Sequence, residues 1–256
     1  MDDDNIQKAV RRAADIIAGS SRLVAFTGAG VSADSGIPTF RGPGGIWGSY
    51  DERHLELGFF MSRPETAWNT IRKIFYDYTL SVEPNDAHRI LASWERSGRL
   101  GLVVTQNIDG LHGRAGSKAV AEFHGSCSEL VCLACGGRVQ ATRELVAPSP
   151  PRCPCGGLYK PGFTFFGEGI PPEAYAASVD AAEEADACLI IGSTGTVYPA
   201  ASIPRIVKRR GGLVVEVNPV PSEFTEAVSD AFVPLGAAEA MRRIDAALAT
   251  RATERP

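Results

Sequence analysis

No run of apolar residues in this chain approaches the roughly 18 that a helix needs to cross a bilayer, which argues against a membrane role. Positive charge is not in excess either. With 26 Lys and Arg against 30 Asp and Glu, the net charge of −4 gives no global reason to bind nucleic acid or an anionic membrane surface. A basic target, such as a lysine-bearing protein, is at least not repelled. The basic segment that opens a secretory signal is missing as well: Met1-Asp2-Asp3-Asp4-Asn5 is acidic, and the expectation is a cytoplasmic protein. Internal repeats and low-complexity linkers are absent. What is present, 256 residues of 44% hydrophobic composition, predicts one large domain or a large one with a small insert. Of six cysteines, four fall in two tight pairs, which in a reducing compartment points to a metal rather than to disulfides.

A further absence lies in the loop after the first strand. The apolar run Leu23-Val24-Ala25-Phe26 leads into Thr27-Gly28-Ala29-Gly30-Val31-Ser32, and a strand ending in Gly-x-Gly lets backbone N–H groups approach a diphosphate without Cβ interference. The dinucleotide fingerprint needs its next glycine three residues on, whereas here it comes six later, at Gly36, followed by Ile37-Pro38-Thr39-Phe40-Arg41. The loop is therefore either a nucleotide cradle of another kind or a tight turn. The segment Gly42 to Gly48 is too rich in glycine for regular structure and reads equally as a mobile cover over a ligand or a plain surface loop.

Apolar spacing predicts helices from Asp4 or Asn5 to Gly19, from Pro64 to about Leu80 (Trp68, Ile71, Ile74, Phe75 and Tyr78 inward), and from Pro84-Asn85-Asp86 to Gly98. Further helices are expected over Pro172 to Ala185, Pro199 to Arg210, and a closing segment with Met241, Ile244 and Leu248 inward. Strands are expected at Leu100–Thr105, Val120–Phe123, Ala187–Ile191, Leu213–Val217 and Phe232-Val233, with an exposed-edge strand at Phe163–Glu168. Helix alternating with strand implies a parallel sheet, and ligands bind such sheets at the strands' C-terminal ends. Those ends carry Gln106-Asn107-Ile108-Asp109, His124-Gly125, Gly192-Ser193-Thr194 and Asn218-Pro219. His124 is either a structural histidine or, given its place at a strand end, a base.

Cys132-x-x-Cys135 and Cys153-x-Cys155 flank 17 residues, with a glycine pair after each. This is zinc-ribbon spacing, and four thiolates close a tetrahedral zinc, so the metal should be structural.

Taken together, Gly28-Ala29-Gly30-Val31-Ser32 through Phe40-Arg41, Thr105 to Asp109, His124-Gly125, the four cysteines, Phe166-Gly167-Glu168, Gly192-Ser193 with Val197-Tyr198-Pro199-Ala200, and Val217-Asn218-Pro219 resemble the sirtuin family of NAD-dependent protein deacylases, in the family's order and over about residues 20 to 240. The resemblance implies an α/β fold: a Rossmann-like doubly wound parallel sheet (residues 1–45, 85–125 and 163–256), a helical insert (46–84) and a small zinc-ribbon module (126–162) holding one zinc per chain. It implies NAD as co-substrate, touched by Gly28, Ala29, Gly30, Ser32, Thr39, Phe40, Arg41, Gln106, Asn107, Ile108, Asp109, Gly192, Ser193, Thr194, Asn218, Pro219 and Ala237. An acyl-lysine protein or peptide would lie against Thr164, Phe165, Phe166, Gly167 and Glu168, paired as an added strand. In sirtuins the acyl oxygen attacks the nicotinamide ribose, nicotinamide leaves, and an alkylimidate forms. By that analogy Asn107 and Asp109 position the ribose and the amide, and His124 is the general base that leads to free lysine and O-acyl-ADP-ribose.

Desuccinylating sirtuins carry a Tyr-x-x-Arg pair that grips the acyl carboxylate; aligned from Trp68, those positions are Ile71 and Ile74 here, one residue from Arg72 and near Tyr76. Neutral acyl groups are therefore expected, acetyl first, with longer aliphatic acyls open. Thr164 stands where an apolar residue commonly contacts the acyl-lysine. The alternatives are a longer-chain or acidic-acyl deacylase, a protein ADP-ribosyltransferase of the same bond-breaking chemistry, or an NAD-sensing module without turnover. The combination of Gln106, Asn107, Asp109 and His124 argues against the last, and the ribbon region lacks a nucleic-acid footprint.

Overall fold

The computed structural model describes residues 3–40, 45–148 and 150–254. Nine strands are described: β1 (Leu23–Thr27), β2 (Leu100–Thr105), β3 (Val120–Glu122), β4 (Gly125–Cys132), β5 (Arg138–Gln140), β6 (Tyr159–Phe163), β7 (Ala187–Ile191), β8 (Leu213–Val217) and β9 (Ala231–Val233). Six of them form one sheet in the order β3-β2-β1-β7-β8-β9, every neighbouring pair parallel. The chain winds outward from β1 to β3, then returns to β7 beside β1 and winds the other way. The switch point, where such sheets bind ligands, therefore lies between the ends of β1 and β7.

Alternate residues of each central strand face opposite sides, and both sides are covered. Leu23, Ala25, Val103, Leu189, Ile191 and Val215 pack against the helices Asp3–Gly19, Asp86–Arg96 and Ala237–Glu254. On the other side Val24, Phe26, Val104, Cys188, Ile190 and Val214 meet residues of the helices Pro172–Glu184 and Ser202–Arg209. Burial on both faces is why these strands read as largely apolar runs, with Glu216 the exception in β8. Fully burying a residue such as Phe26 contributes about 1.5–3 kcal/mol. Among the described residues no helix is long and apolar enough to cross a membrane.

A second, antiparallel sheet, β5-β4-β6, forms the cysteine-bearing part. Its Cys127, Leu130, Tyr159 and Phe163 share one core with Phe60, Trp68, Ile71, Ile74, Phe75 and Tyr76, and the Trp68 indole N–H donates to the carbonyl of Tyr159 at 2.8 Å.

Three expectations shift. The helix from Pro64 carries a π turn at Arg72–Tyr76, whose extra residue advances the face, so Tyr76 is buried and Tyr78 is 38% exposed. The exposed-edge strand at Phe163–Glu168 does not form: the strand is β6, which begins four residues earlier and ends at Phe163, and Gly167, at φ +90°, turns the chain after a single bridge between Glu56 and Phe166. In the glycine-rich segment, Ile46–Gly48 is a short 3-10 turn whose buried Ile46 joins the insert's core; Arg41 to Gly44 lie outside the described residues.

Candidate active site

At the switch point the two glycine loops press together. Gly28 N–H donates to Ile191 O at 3.0 Å and Gly30 N–H to Gly192 O at 2.9 Å. A Cβ on Gly30 would sit 2.6 Å from the Gly192 Cα, and one on Gly28 2.8 Å from the Gly192 carbonyl oxygen. Glycine is thus required for packing of loop on loop, and these two N–H groups face the neighbouring strand end rather than a diphosphate. The chain then enters a 3-10 helix, Ala29–Ser35, ended by Gly36 in the left-handed region at φ +89° with its N–H on Ala33 O at 2.9 Å. The late glycine is the stop of that helix, which explains the departure from the redox fingerprint.

Ser32, on this helix, joins a buried polar cluster. Its hydroxyl donates to Asp109 Oδ2 at 2.7 Å and accepts from the Asn107 amide at 3.0 Å; that amide also lies 3.2 Å from Asp109 Oδ2. Leu111 N–H donates to Asp109 Oδ1 at 2.9 Å. Burial pushes the Asp109 carboxyl up, opposed by these donors. Behind Ser32 stands His88. Its Nδ1 accepts the N–H of Asn85, so Nε2 carries the proton and faces the Ser32 hydroxyl at 3.4 Å. Burial holds the His88 ring neutral, its pKa down to about 4. Asn85 caps the helix Asp86–Arg96 and donates to Val31 O at 2.8 Å, tying that helix to the glycine loop. Neither His88 nor Asn85 was picked out as a site residue from sequence. The available signal is the three-residue capping-box spacing between them.

His124 follows β3, and its Nδ1 lies 3.1 Å from the carbonyl of Gln106. A carbonyl only accepts, so Nδ1 is protonated and Nε2 keeps its lone pair. Burial lowers the His124 pKa from the ordinary 6.5, partly opposed by the Gln106 bond. The Gln106 side chain donates to Ser193 Oγ at 2.8 Å, and Asn218 Nδ2 to Ser193 O at 3.0 Å, linking the ends of β2, β7 and β8. Glu216, fully buried, receives Asn218 Nδ2 at 2.9 Å, Thr225 Oγ1 at 2.9 Å and Ser229 Oγ at 2.8 Å, and so fixes the Asn218 loop. It too escaped the sequence reading, because one acidic residue in an apolar strand gives no periodic signal.

The remaining predicted positions spread around this centre. Ala29 and Gly30 are half-buried, Thr194 and Pro219 exposed, and Ile108 half-buried with its carbonyl accepting Cys127 N–H at 2.7 Å. The Thr39 carbonyl accepts Ile46 N–H at 2.9 Å, and the Phe40 ring lies 6.2 Å from Phe75. Arg41 lies outside the described residues. Ala237 is buried at the start of the last helix, where Asp34 accepts the N–H of Ala238 at 2.9 Å. Thr164 N–H donates to the His124 carbonyl at 2.8 Å, Phe165 is buried and Phe166 is exposed. The Phe166 backbone is engaged by Leu55 and Leu57. Ile71 and Ile74 are both buried in the aromatic core. A recess of about 620 Å³ contains none of Asn107, Asp109 and His124; it is edged by Asp34, Asn85, Glu239 and the Arg242–Asp86 ion pair.

The four sulfurs of Cys132, Cys135, Cys153 and Cys155 lie within 4.8 Å of one another, with Cys132 to Cys155 at 3.5 Å and Cys135 to Cys153 at 3.9 Å. Tetrahedral zinc with bonds of about 2.3 Å needs sulfurs about 3.8 Å apart, so the donor set fits that metal. Backbone N–H groups at Cys135 and Ala134 draw the Cys132 thiol down, to about 6, which favours the thiolate a metal needs.

The profile of the Sir2 family matches residues 28–199. The NAD-dependent protein deacylase 2 of Pyrobaculum aerophilum is 43% identical over 233 residues, 90% of this chain and 92% of that protein. A Sir2 homologue crystallised as an NAD complex superposes with a TM-score of 0.85 at 37% identity, covering 93% of this chain and 94% of the other. A Sir2 variant with deacetylated p53 peptide and 3'-O-acetyl ADP ribose gives 0.86 at 35%, covering 92% and 96%. With a matching profile over most of its length, a close full-length relative and the strand-end residues in the same order, this chain belongs to the Sir2 family, the sirtuins.

Proposed function

We infer that this chain is an NAD-dependent protein-lysine deacylase, acting first on acetyl-lysine and giving nicotinamide and O-acyl-ADP-ribose. The observation that carries the reading is a neutral histidine, His124, whose Nδ1 is held by the carbonyl of Gln106 and whose Nε2 lone pair is free, Gln106 being next to Asn107 in a loop whose Asn107 and Asp109 form a buried cluster. When bound, NAD supplies the nicotinamide–ribose bond that breaks and the ribose carbon that takes the acyl oxygen. Asp109 and Asn107 hold the nicotinamide ribose and amide in a dry site, with Ser32 and His88 fixing the carboxylate. His124 takes a ribose hydroxyl proton on Nε2, and its Gln106 bond steadies the imidazolium that results. Ser193, Gln106 and Asn218 form the wall for the diphosphate and adenosine half. The four cysteines hold a structural zinc that closes the ribbon away from this chemistry.

The partition into an NAD-binding unit (residues 1–45, 85–125 and 163–256), an insert (46–84) and a ribbon (126–162) belongs to the same reading, with the acyl-lysine substrate between them. So does action in the cytoplasm on proteins, without nucleic acid or membrane. Ile71 and Ile74, both buried and apolar, support a neutral acyl group. The test is nicotinamide release from NAD with a panel of acetyl-, butyryl- and succinyl-lysine peptides. Release that requires the peptide, greatest with a neutral acyl group, supports the reading; ADP-ribose attached to protein without loss of acyl would replace it.

A further inference from the structure

Lys160 is the second residue of β6 and has 8% of its surface exposed, an unusual burial for an ammonium group. Its three N–H donors meet three acceptors: Pro161 O at 3.1 Å, Phe163 O at 2.7 Å and Glu168 Oε2 at 2.9 Å. The same nitrogen lies 4.4 Å from the centre of the Phe165 ring. Glu168 Oε2 in turn accepts the Phe165 N–H at 2.7 Å. One ion pair, its lysine buried and its carboxylate half-buried, therefore grips both ends of the turn Phe163–Glu168. That turn is tied to the catalytic loop, because Thr164 N–H donates to the His124 carbonyl at 2.8 Å and Phe163 pairs with Gly125.

We propose that Lys160 and Glu168 are positioning residues that set affinity for the acyl-lysine peptide, by holding the Thr164–Gly167 backbone in register with His124 before substrate arrives. The inference rests on the deacylase reading for what binds the turn, but not for the clamp itself. Preorganisation of this kind acts on binding: a loosened turn must be ordered by each incoming peptide, so KM for peptide rises while the chemical step, carried by His124, Asn107 and Asp109, is little changed. Methionine fills the lysine's space but makes none of the three bonds and leaves the half-buried Glu168 unpaired. Glu168→Gln keeps an acceptor for Phe165 N–H and removes only the charge. Lys160→Arg keeps the charge but cannot match three separate directions from one nitrogen.

The experiment measures steady-state kinetics with an acetyl-lysine peptide and NAD for wild type, Lys160→Met, Glu168→Gln and Lys160→Arg, beside hydrogen exchange of segments 163–168 and 187–191. Expected is a peptide KM raised about tenfold or more in Lys160→Met and about threefold in Glu168→Gln. The NAD KM and kcat stay within about threefold, and the peptide KM of Lys160→Arg lies between those of wild type and Lys160→Met, because the charge is kept but the three-way bonding is not. Exchange in 163–168 speeds about tenfold while that in 187–191 is unchanged. A peptide KM within twofold of wild type in a folded variant overturns the proposal, as does a parallel loss of NAD affinity. If Lys160→Met fails to fold, Glu168→Gln decides by the same readings. If wild type shows no NAD-dependent turnover, the deacylase reading fails, and the exchange measurement alone judges the clamp: unchanged exchange in 163–168 overturns it.

Discussion

The Nδ1 of His124 and the backbone carbonyl of Gln106 are 3.1 Å apart, and that contact fixes which ring nitrogen can act as a base. It also ties the histidine to the loop that carries Asn107 and Asp109. Replacing His124 by alanine should lower deacylation by about 10²–10⁴-fold and leave the NAD dissociation constant within about threefold, since the bonds of the Gln106 side chain to Ser193 and of Asn218 to Ser193 do not involve the histidine. Single-turnover assays with calorimetric titration of NAD check both halves.

The pH profile follows from the same residue. A general base must be neutral, so activity falls as pH drops through its pKa. Burial lowers that pKa from the ordinary 6.5, so the fall comes on the acid side of 6.5. The acidic limb of kcat against pH, absent from the His124→Ala variant's residual activity, is the measurement.

Where β1 and β7 end, Gly30 and Gly192 leave no room for a methyl group. Gly30→Ala would bring its Cβ to 2.6 Å from backbone and should destabilise the protein by about 1–3 kcal/mol. NAD affinity should fall with it. Thermal melting with and without NAD reads both effects, and a variant as stable as wild type would refute this account of the glycine.

The ribbon should hold one zinc per chain, lost in Cys135→Ser. The loss should lower the melting temperature and leave the protein active in proportion to what remains folded. Metal analysis beside thermal melting tests this.

On the deacylase reading, Ile71 and Ile74, which are apolar and buried in the aromatic core, stand where an acidic-acyl enzyme needs a charged grip. A succinyl carboxylate brought there would lose its water without a charged partner, so kcat/KM for succinyl-lysine should be at least about tenfold below acetyl-lysine. Side-by-side turnover of the two peptides decides it.

Much of this was legible in the chain itself. β1, β7 and β8 are buried on both faces and so read as apolar runs, and the polar clusters after them mark the sheet edge. Cysteine spacing revealed the metal site because four ligands in two knuckles form a local pattern. Other features depend on residues far apart in sequence. The π turn at Arg72–Tyr76 lets Tyr76 reach the shared core, and no local spacing announces it. Gly30 needs to be glycine because of Gly192, and Ser32 meets His88 only after folding. The edge strand expected at Phe163–Glu168 does not form because Lys160 and Glu168 hold that segment as a turn, through contacts that no local alternation of aromatic residues reveals.

The most direct test of the central claim is the stoichiometry of the reaction. Wild-type protein incubated with NAD and an acetyl-lysine peptide should release one nicotinamide per lysine freed, with O-acetyl-ADP-ribose as the third product and little release when peptide is withheld. Nicotinamide released without loss of acetyl groups, or ADP-ribose found on the protein instead, would contradict it.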